Sequence, residues 1–193
     1  MPKIIFITGG SASGKSTVAQ QIKEALGGKA TIITQDSFYL PKGTVETNYD
    51  VPQAFDWSIQ EEVFKNLSEN KEVEIPIYDF SKHARDGSQK IKPNEVIIFE
   101  GLFTFHDNKV RKHADFQIFV DTPSDIRLAR RLRRDISERG RDMDEVLTTW
   151  ESHVEPSYKQ YINPLKRYAD IIIPWTKVKE KAVKAIIATI HSL

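Results

Sequence analysis

Nine residues near the amino terminus, Gly9-Gly10-Ser11-Ala12-Ser13-Gly14-Lys15-Ser16-Thr17, fit G-x-x-x-x-G-K-[ST], the pattern of a phosphate-binding P-loop. Glycines at that spacing let the backbone curl until successive N–H groups point into one concavity, and a helix that follows adds the positive end of its dipole. Lys15 then lies along the β and γ phosphates of a nucleoside triphosphate, and Ser16 offers its hydroxyl to Mg²⁺. An ordinary Gly/Ser turn needs neither the lysine nor the second glycine, so nucleotide binding is the stronger reading.

Two carboxylates stand where phosphoryl transfer needs them. Asp36, within Gln35-Asp36-Ser37-Phe38-Tyr39, comes directly after a predicted strand, at the edge where open parallel sheets hold ligands. A carboxylate there can orient an attacking hydroxyl and take its proton late in a loose transition state, which makes Asp36 the candidate base. The plainer alternative is a turn-capping aspartate. Glu100 closes the apolar run Val96-Ile97-Ile98-Phe99, the place of a Walker B carboxylate that helps hold Mg²⁺. A charge ending so apolar a strand is costly without a cation beside it, and magnesium fits better than a lysine partner.

Arg127, Arg131 and Arg134 fall at i, i+4 and i+7 on one predicted helix, and Arg139 and Arg141 extend the stripe into the following turn. Interleaved Asp135, Glu138, Asp142 and Asp144 keep the net charge of the segment modest. That weakens a nucleic-acid surface and favours a lid, about residues 127–142, that closes on phosphates. Tyr49, Tyr78, Phe80 and His83 would each suit a core position singly. Clustered in loops beside Asp50, they suit a flat polar ring, with aromatic faces to stack it, an imidazole for its edge and a carboxylate for sugar hydroxyls. His106, His113, His153 and His191 share no spacing and read as structural.

The elements that must position these groups alternate between strand and helix. Lys3–Thr8 predicts the first strand, and the helix after the P-loop carries Val18, Ile22, Ala25 and Leu26 on one face and stops at Gly27-Gly28. Ala30–Thr34 reads as the second strand. Ser58 with Glu61 resembles a capping box opening a helix to about Asn70. Alternation from Val73 to Phe80, interrupted by Pro76, predicts an edge strand or hairpin arm away from the main sheet. Val96–Phe99 and Phe116–Val120 are further buried strands. Asp121-Thr122-Pro123-Ser124-Asp125 then opens a helix with Ile126, Ala129, Leu132 and Ile136 expected towards the core. A second helix from about Met143, broken near Pro156, precedes a last strand at Ile171–Ile173 and a closing amphipathic helix with Ala182, Val183, Ile186, Ile187 and Ile190 inward.

With 193 residues, 39% of them hydrophobic, the chain has material for one sizeable core, so one α/β domain over 1–193 is expected. A net charge of +1 gives no overall field for nucleic acid or membrane. The absence of cysteine removes disulfides, thiolate metal sites and cysteine nucleophiles. No run approaches a membrane span or a signal-peptide core, and a cytoplasmic protein is the plain expectation.

From Ile4 to about Pro174 the chain resembles the uridine kinase (uridine-cytidine kinase) family of P-loop kinases. The resemblance rests on Gly9 to Thr17, Gln35-Asp36-Ser37-Phe38-Tyr39, Asn48-Tyr49-Asp50, Tyr78-Asp79-Phe80 with His83 and Arg85, Phe99-Glu100-Gly101, Arg131 to Asp142, and Tyr168-Ala169-Asp170 with Ile171 to Pro174. It implies transfer of the γ-phosphate of ATP, or GTP, to the 5′-hydroxyl of uridine or cytidine in pyrimidine salvage. By the same resemblance Asp36 matches the base, Asp50 and Arg131 ribose contacts, and Tyr78, His83 and Arg141 base-recognition groups. Arg134 and Arg139 match phosphate-binding lid residues, and Ser16 and Glu100 the magnesium site. The implied fold is a three-layer one, a parallel five-stranded sheet between helices with a small β-hairpin over the nucleoside, and the implied assembly is a homo-oligomer, usually a tetramer. The sequence departs from the family at Trp175-Thr176-Lys177-Val178, where Arg-Gly and an asparagine are usual, and at Thr149, where glutamine is frequent.

The nearest rival is a kinase of the same superfamily acting on another small alcohol, such as nicotinamide riboside, pantothenate or ribulose phosphate. The aromatic cluster with Asp50 suits a pyrimidine ribonucleoside better than an acyclic acceptor. A GTPase is disfavoured because no D-x-x-G occurs, and Asn108-Lys109-Val110-Arg111 lacks a guanine-reading aspartate. An RNA-binding protein would have to rest on the arginine segment alone.

Overall fold

The computed structural model describes residues 1–41, 48–79, 82–177 and 180–193. Five strands, β1 (Lys3–Thr8), β2 (Ala30–Thr34), β5 (Val96–Gly101), β6 (Phe116–Asp121) and β7 (Ile171–Pro174), form a parallel sheet in the order β2-β5-β1-β6-β7. Strands β3 (Val73–Asp79) and β4 (Ala84–Ile91) make a separate antiparallel hairpin with a register shift between Pro76 and Tyr78. Pro76, which has no N–H to give a ladder, stands opposite Ser88 at that shift.

Alternation along β1 splits the core. Ile4 and Phe6 face a cluster with Phe64 and Leu67 of helix α2 (Trp57–Ser68), whereas Ile5 and Ile7 face Val18 and Ile22 of α1 (Lys15–Ala25) and Ile186 and Ile190 of α7 (Glu180–Ser192). Phe6, Phe64 and Phe99 form an aromatic triangle, with centroids 4.5–5.1 Å apart. The short α3 (Asn108–Arg111) lies between β5 and β6 in the chain, and its Val110 is buried in the Phe6 cluster.

Several boundaries differ from expectation. Asp56, not Ser58, caps α2: it accepts from Ile59 N at 3.2 Å, while Ser58 donates to the same carboxylate. Ala25 is exposed although Val18, Ile22 and Leu26 are buried. In α7, Val183, Ile186 and Ile190 are buried and Ala182 and Ile187 are partly so. The chain does not break at Pro156. Helix α5 (Met143–Thr149) continues through a π segment (Trp150–Val154), α6 (Glu155–Ser157), a second π segment (Tyr158–Ile162) and a 3₁₀ segment (Asn163–Tyr168). Pro156 sits in the first turn of α6, and wider π turns on either side accommodate the ladder bond its missing N–H forfeits.

The largest correction is α4 (Ser124–Ser137). Its inward residues are Arg127, Arg131 and Asp135, while Ala129 and Ile136, the latter 43% accessible, face out and Ile126 and Leu132 are half-buried. The charges are inside because each has a partner there. Arg127 donates to the Thr122 carbonyl (3.1 Å) and to Glu155 (2.9 Å) and lies 3.9 Å over the Tyr158 ring. Nor does a side chain cap α4: Thr122 Oγ1 instead lies 2.9 Å from the Ser13 carbonyl and 3.0 Å from that of Trp175.

Candidate active site

The loop between β1 and α1 is shaped by what stands against it. A Cβ on Gly9 would lie 2.5 Å from the Val120 carbonyl oxygen, and one on Gly10 would lie 2.8 Å from Arg127 Nη1. Gly14 has a left-handed φ of 100° and the Trp175 indole packed against it, so both backbone and space require glycine. No side chain caps the start of α1, leaving its first N–H groups for an anion. Lys15 is buried and gives its Nζ to the Gly10 carbonyl at 3.0 Å. Ser11, Ala12 and Ser13 complete the turn, with Ala12 at φ 59° and the Ser13 carbonyl also accepting from Arg130 at 3.2 Å, and Thr17 follows in the first turn of α1.

A cavity of about 480 Å³ opens beside this loop. Lys15, Ser16, Asp36 and Glu100 line its sheet end; Arg131, Arg134, Arg139 and Arg141 approach from α4 and the turn after it; Tyr49, Asp50 and His83 form a third side. A second cavity of about 540 Å³ lies on the other side of the loop, walled by Gly14, Thr17, Arg130, Trp175 and Lys177. Ala12, Lys15, Ser16 and Arg134 border both.

The sheet end of the first cavity is electrostatically tense. Burial, reinforced by the charge of Glu100, pushes the Asp36 carboxyl up to about 6. Burial also lowers Lys15 from its ordinary range, against the opposing pull of Glu100 and Asp36. Ser16 Oγ donates to Glu100 Oε1 at 3.1 Å, and Glu100 is only 8% accessible. Two carboxylates and a hydroxyl in one place form a set of hard oxygen donors, which fits Mg²⁺ completed by phosphate and water oxygens.

Asp135 organises the arginines. It has no accessible surface, accepts from Arg134 Nε at 2.8 Å, and lies 3.3 Å from Arg131 and 3.5 Å from Arg139. Burial opposes its charge, but the Arg134 hydrogen bond and the surrounding guanidinium groups hold it below the usual carboxylate range. Arg131 also donates to Ser11 Oγ at 2.9 Å, tying α4 to the glycine loop. Arg141 is held more loosely, 3.9 Å from Glu145.

On the third side Tyr49 and His83 stack with centroids 5.0 Å apart and planes 15° from parallel, and Tyr39 meets Tyr49 edge-on. Arg85 fastens the hairpin that carries His83, donating to the Tyr39 carbonyl (3.2 Å) and to Asp56 (3.0 Å). Burial raises Asp50, which Arg131 and His153 partly offset. Tyr78 does not line the cavity; it lies behind Tyr39, centroids 5.3 Å apart, where burial and the neighbouring Tyr49 push its hydroxyl up to about 12. Phe80 and Val178 lie outside the described residues.

Three lining or supporting residues were given no part in the site by the sequence. Tyr39 forms part of the wall, Asp135 gathers the lid, and His153, expected to be structural, reaches the cavity together with Thr149. Thr149 and His153 stand four residues apart beside the buried Val146, Trp150 and Val154, a helical phase that could have been read along this stretch.

Comparison with known proteins follows the same lines. The model of the Phosphoribulokinase / Uridine kinase family matches residues 4–182. The chain is 42% identical over 200 residues to "Uridine kinase" of Ligilactobacillus salivarius, covering 100% of this chain and 94% of that protein. It is 43% identical over 199 residues to "Uridine-cytidine kinase B" of Dictyostelium discoideum, covering 99% and 82%. In fold it is similar to phosphoribulokinase from Rhodobacter spheroides, with a TM-score of 0.66 at 20% identity over 89% of this chain and 69% of that one. The glycine loop, the carboxylates of Asp36 and Glu100 and the arginines gathered by Asp135 stand on a parallel sheet in a chain whose family match covers most of its length: it belongs to the phosphoribulokinase/uridine kinase family.

Proposed function

We infer that this protein is a nucleoside kinase that transfers the γ-phosphate of ATP to the 5′-hydroxyl of uridine or cytidine, a step of pyrimidine salvage in the cytoplasm. The observation that carries this reading is that two cavities meet at Lys15, Ser16 and Arg134, with Asp36 on one side only. The side with Asp36 takes the acceptor, and the side with Gly14, Trp175 and Lys177 takes the donor. Relatives named uridine kinase and uridine-cytidine kinase over nearly their whole length support the choice of acceptor.

In this mechanism the loop N–H groups and Lys15 hold the donor phosphates, Lys15 exchanging its bond to the Gly10 carbonyl for phosphate oxygen. Ser16 and Glu100 would hold Mg²⁺, which when bound neutralises charge on the phosphate oxygens. Asp36 accepts a hydrogen bond from the acceptor hydroxyl and takes its proton as the bond to phosphorus forms. A carboxylate raised to about 6 is still mostly ionised at pH 7 and is a better proton acceptor than an ordinary one. Arg134 and Arg139 move from Asp135 towards the transferring group. Asp50 and Arg131 take the ribose, and the Tyr49–His83 stack, with Arg141 and, from outside the described residues, Phe80, takes the base. Tyr78 supports that wall from behind.

The test is ADP release with MgATP and, separately, uridine, cytidine, nicotinamide riboside and pantothenate. Turnover with a pyrimidine nucleoside well above the other acceptors is expected. Turnover with one of the others alone would replace the acceptor assigned here.

A further inference from the structure

His153 lies on the π segment that continues α5 and lines the acceptor cavity, one turn after Thr149, which lines it too. The hydrogen bonds of these side chains fix which way they can serve a ligand. Ser152 Oγ donates its only proton to the Thr148 carbonyl at 2.6 Å. In its 2.9 Å contact with His153 Nδ1 the hydroxyl oxygen must therefore accept, so Nδ1 carries the proton and Nε2 of the neutral ring is an acceptor. Thr149 Oγ1 likewise spends its proton on the Glu145 carbonyl at 2.8 Å, leaving an acceptor oxygen. Asp50, which lines the same cavity, is an acceptor when ionised. This part of the cavity thus presents acceptors from two elements and asks for a ligand with adjacent hydroxyl donors.

We propose that His153 is a specificity residue that, with Asp50, accepts hydrogen bonds from the vicinal hydroxyls of the acceptor's sugar and so selects a ribonucleoside over its deoxy counterparts. This rests on the nucleoside-kinase reading above. A cis-diol supplies two O–H donors on neighbouring carbons, and acceptors set to receive both favour it over an analogue that leaves one of them unpaired.

The experiment compares the wild type with His153→Phe, which keeps an aromatic ring but no acceptor, and His153→Gln, which restores an acceptor oxygen. The KM for uridine and for MgATP is measured in each, with 2′-deoxyuridine and 3′-deoxyuridine as competitive inhibitors. The expected result for His153→Phe is a KM for uridine raised about five- to tenfold, a KM for MgATP within twofold, and at least one deoxynucleoside inhibiting as well as before. His153→Gln should recover most of the loss. An unchanged KM for uridine, or equal weakening of uridine and both deoxy analogues, overturns the proposal while the kinase reading stands. A wild type that turns over neither uridine nor cytidine overturns the kinase reading and this proposal with it.

Discussion

Ser16 Oγ gives its proton to Glu100 Oε1 across 3.1 Å, joining the first turn of α1 to the end of β5. That bond makes one oxygen cluster out of the phosphate loop and the central sheet. If it is the magnesium site, Glu100→Gln keeps the shape and the bond to Ser16 but removes the charge. The expected outcome is a rise of at least tenfold in the Mg²⁺ concentration giving half-maximal turnover at fixed ATP, read from a metal titration. An unshifted titration would assign Glu100 to structure.

Asp36 should show opposite effects on activity and stability. Asp36→Asn is expected to lose about 10²–10⁴ in kcat while retaining ATP affinity, because the donor cavity is intact and the acceptor hydroxyl lacks its base. The sign of the stability change follows from the raised carboxyl. Between the unfolded value of about 4 and the folded value of about 6 the native state holds more protons than the unfolded one, so rising pH costs stability across that window. At pH 7 the full cost is present, and Asp36→Asn should raise the unfolding free energy of the ligand-free protein by about 1–3 kcal/mol. Thermal melts at pH 4 and pH 7 check this: the variant's advantage should vanish at the lower pH. In the wild type, kcat/KM should fall as pH drops below about 6.

Asp135 binds the lid into one unit, and its removal should act through the arginines. Asp135→Asn removes the buried counter-charge at the centre of Arg131, Arg134 and Arg139, of which Arg131 is itself buried. Breaking such a cluster is expected to cost about 3–5 kcal/mol. Arg139→Ala, with its more exposed side chain, should leave stability nearly unchanged yet lower kcat by about 10²-fold or more if it neutralises the transferring phosphate. Denaturant unfolding run beside steady-state kinetics separates the two effects.

The sheet and the phosphate loop were legible because their signals are local: apolar runs of strand length, each closing at a turn or a polar residue, and a glycine-lysine spacing that few other structures need. The lid helix was misread for a related reason. A 3.6-residue period shows that α4 has an apolar and a charged face, but which one turns inward depends on partners such as Ser11, Glu155 and Tyr158, which lie 28 to 120 residues away. Tyr78 reads as a pocket residue because it clusters in the chain with Phe80 and His83, whereas the fold packs its ring against Tyr39, behind the wall. His153 carried no motif; the phase it shares with Thr149 on the segment that continues α5 brings it to the cavity.

The parallel stack of His83 on Tyr49 supplies the last prediction. His83 holds a left-handed φ of 49°, and its Nδ1 is buried without a hydrogen-bond partner among the described residues. A residue in a left-handed conformation that lines a cavity is better explained by a ligand than by the fold, since the fold gains little from it. His83→Ala relieves nothing structural that the hairpin depends on, because Arg85 fastens that hairpin independently to Tyr39 and Asp56. The expected outcome is a KM for uridine and cytidine raised at least tenfold, a KM for MgATP within twofold, and a changed ratio between the two pyrimidines. Equal losses for nucleoside and MgATP, accompanied by a lower melting temperature, would return His83 to a structural role.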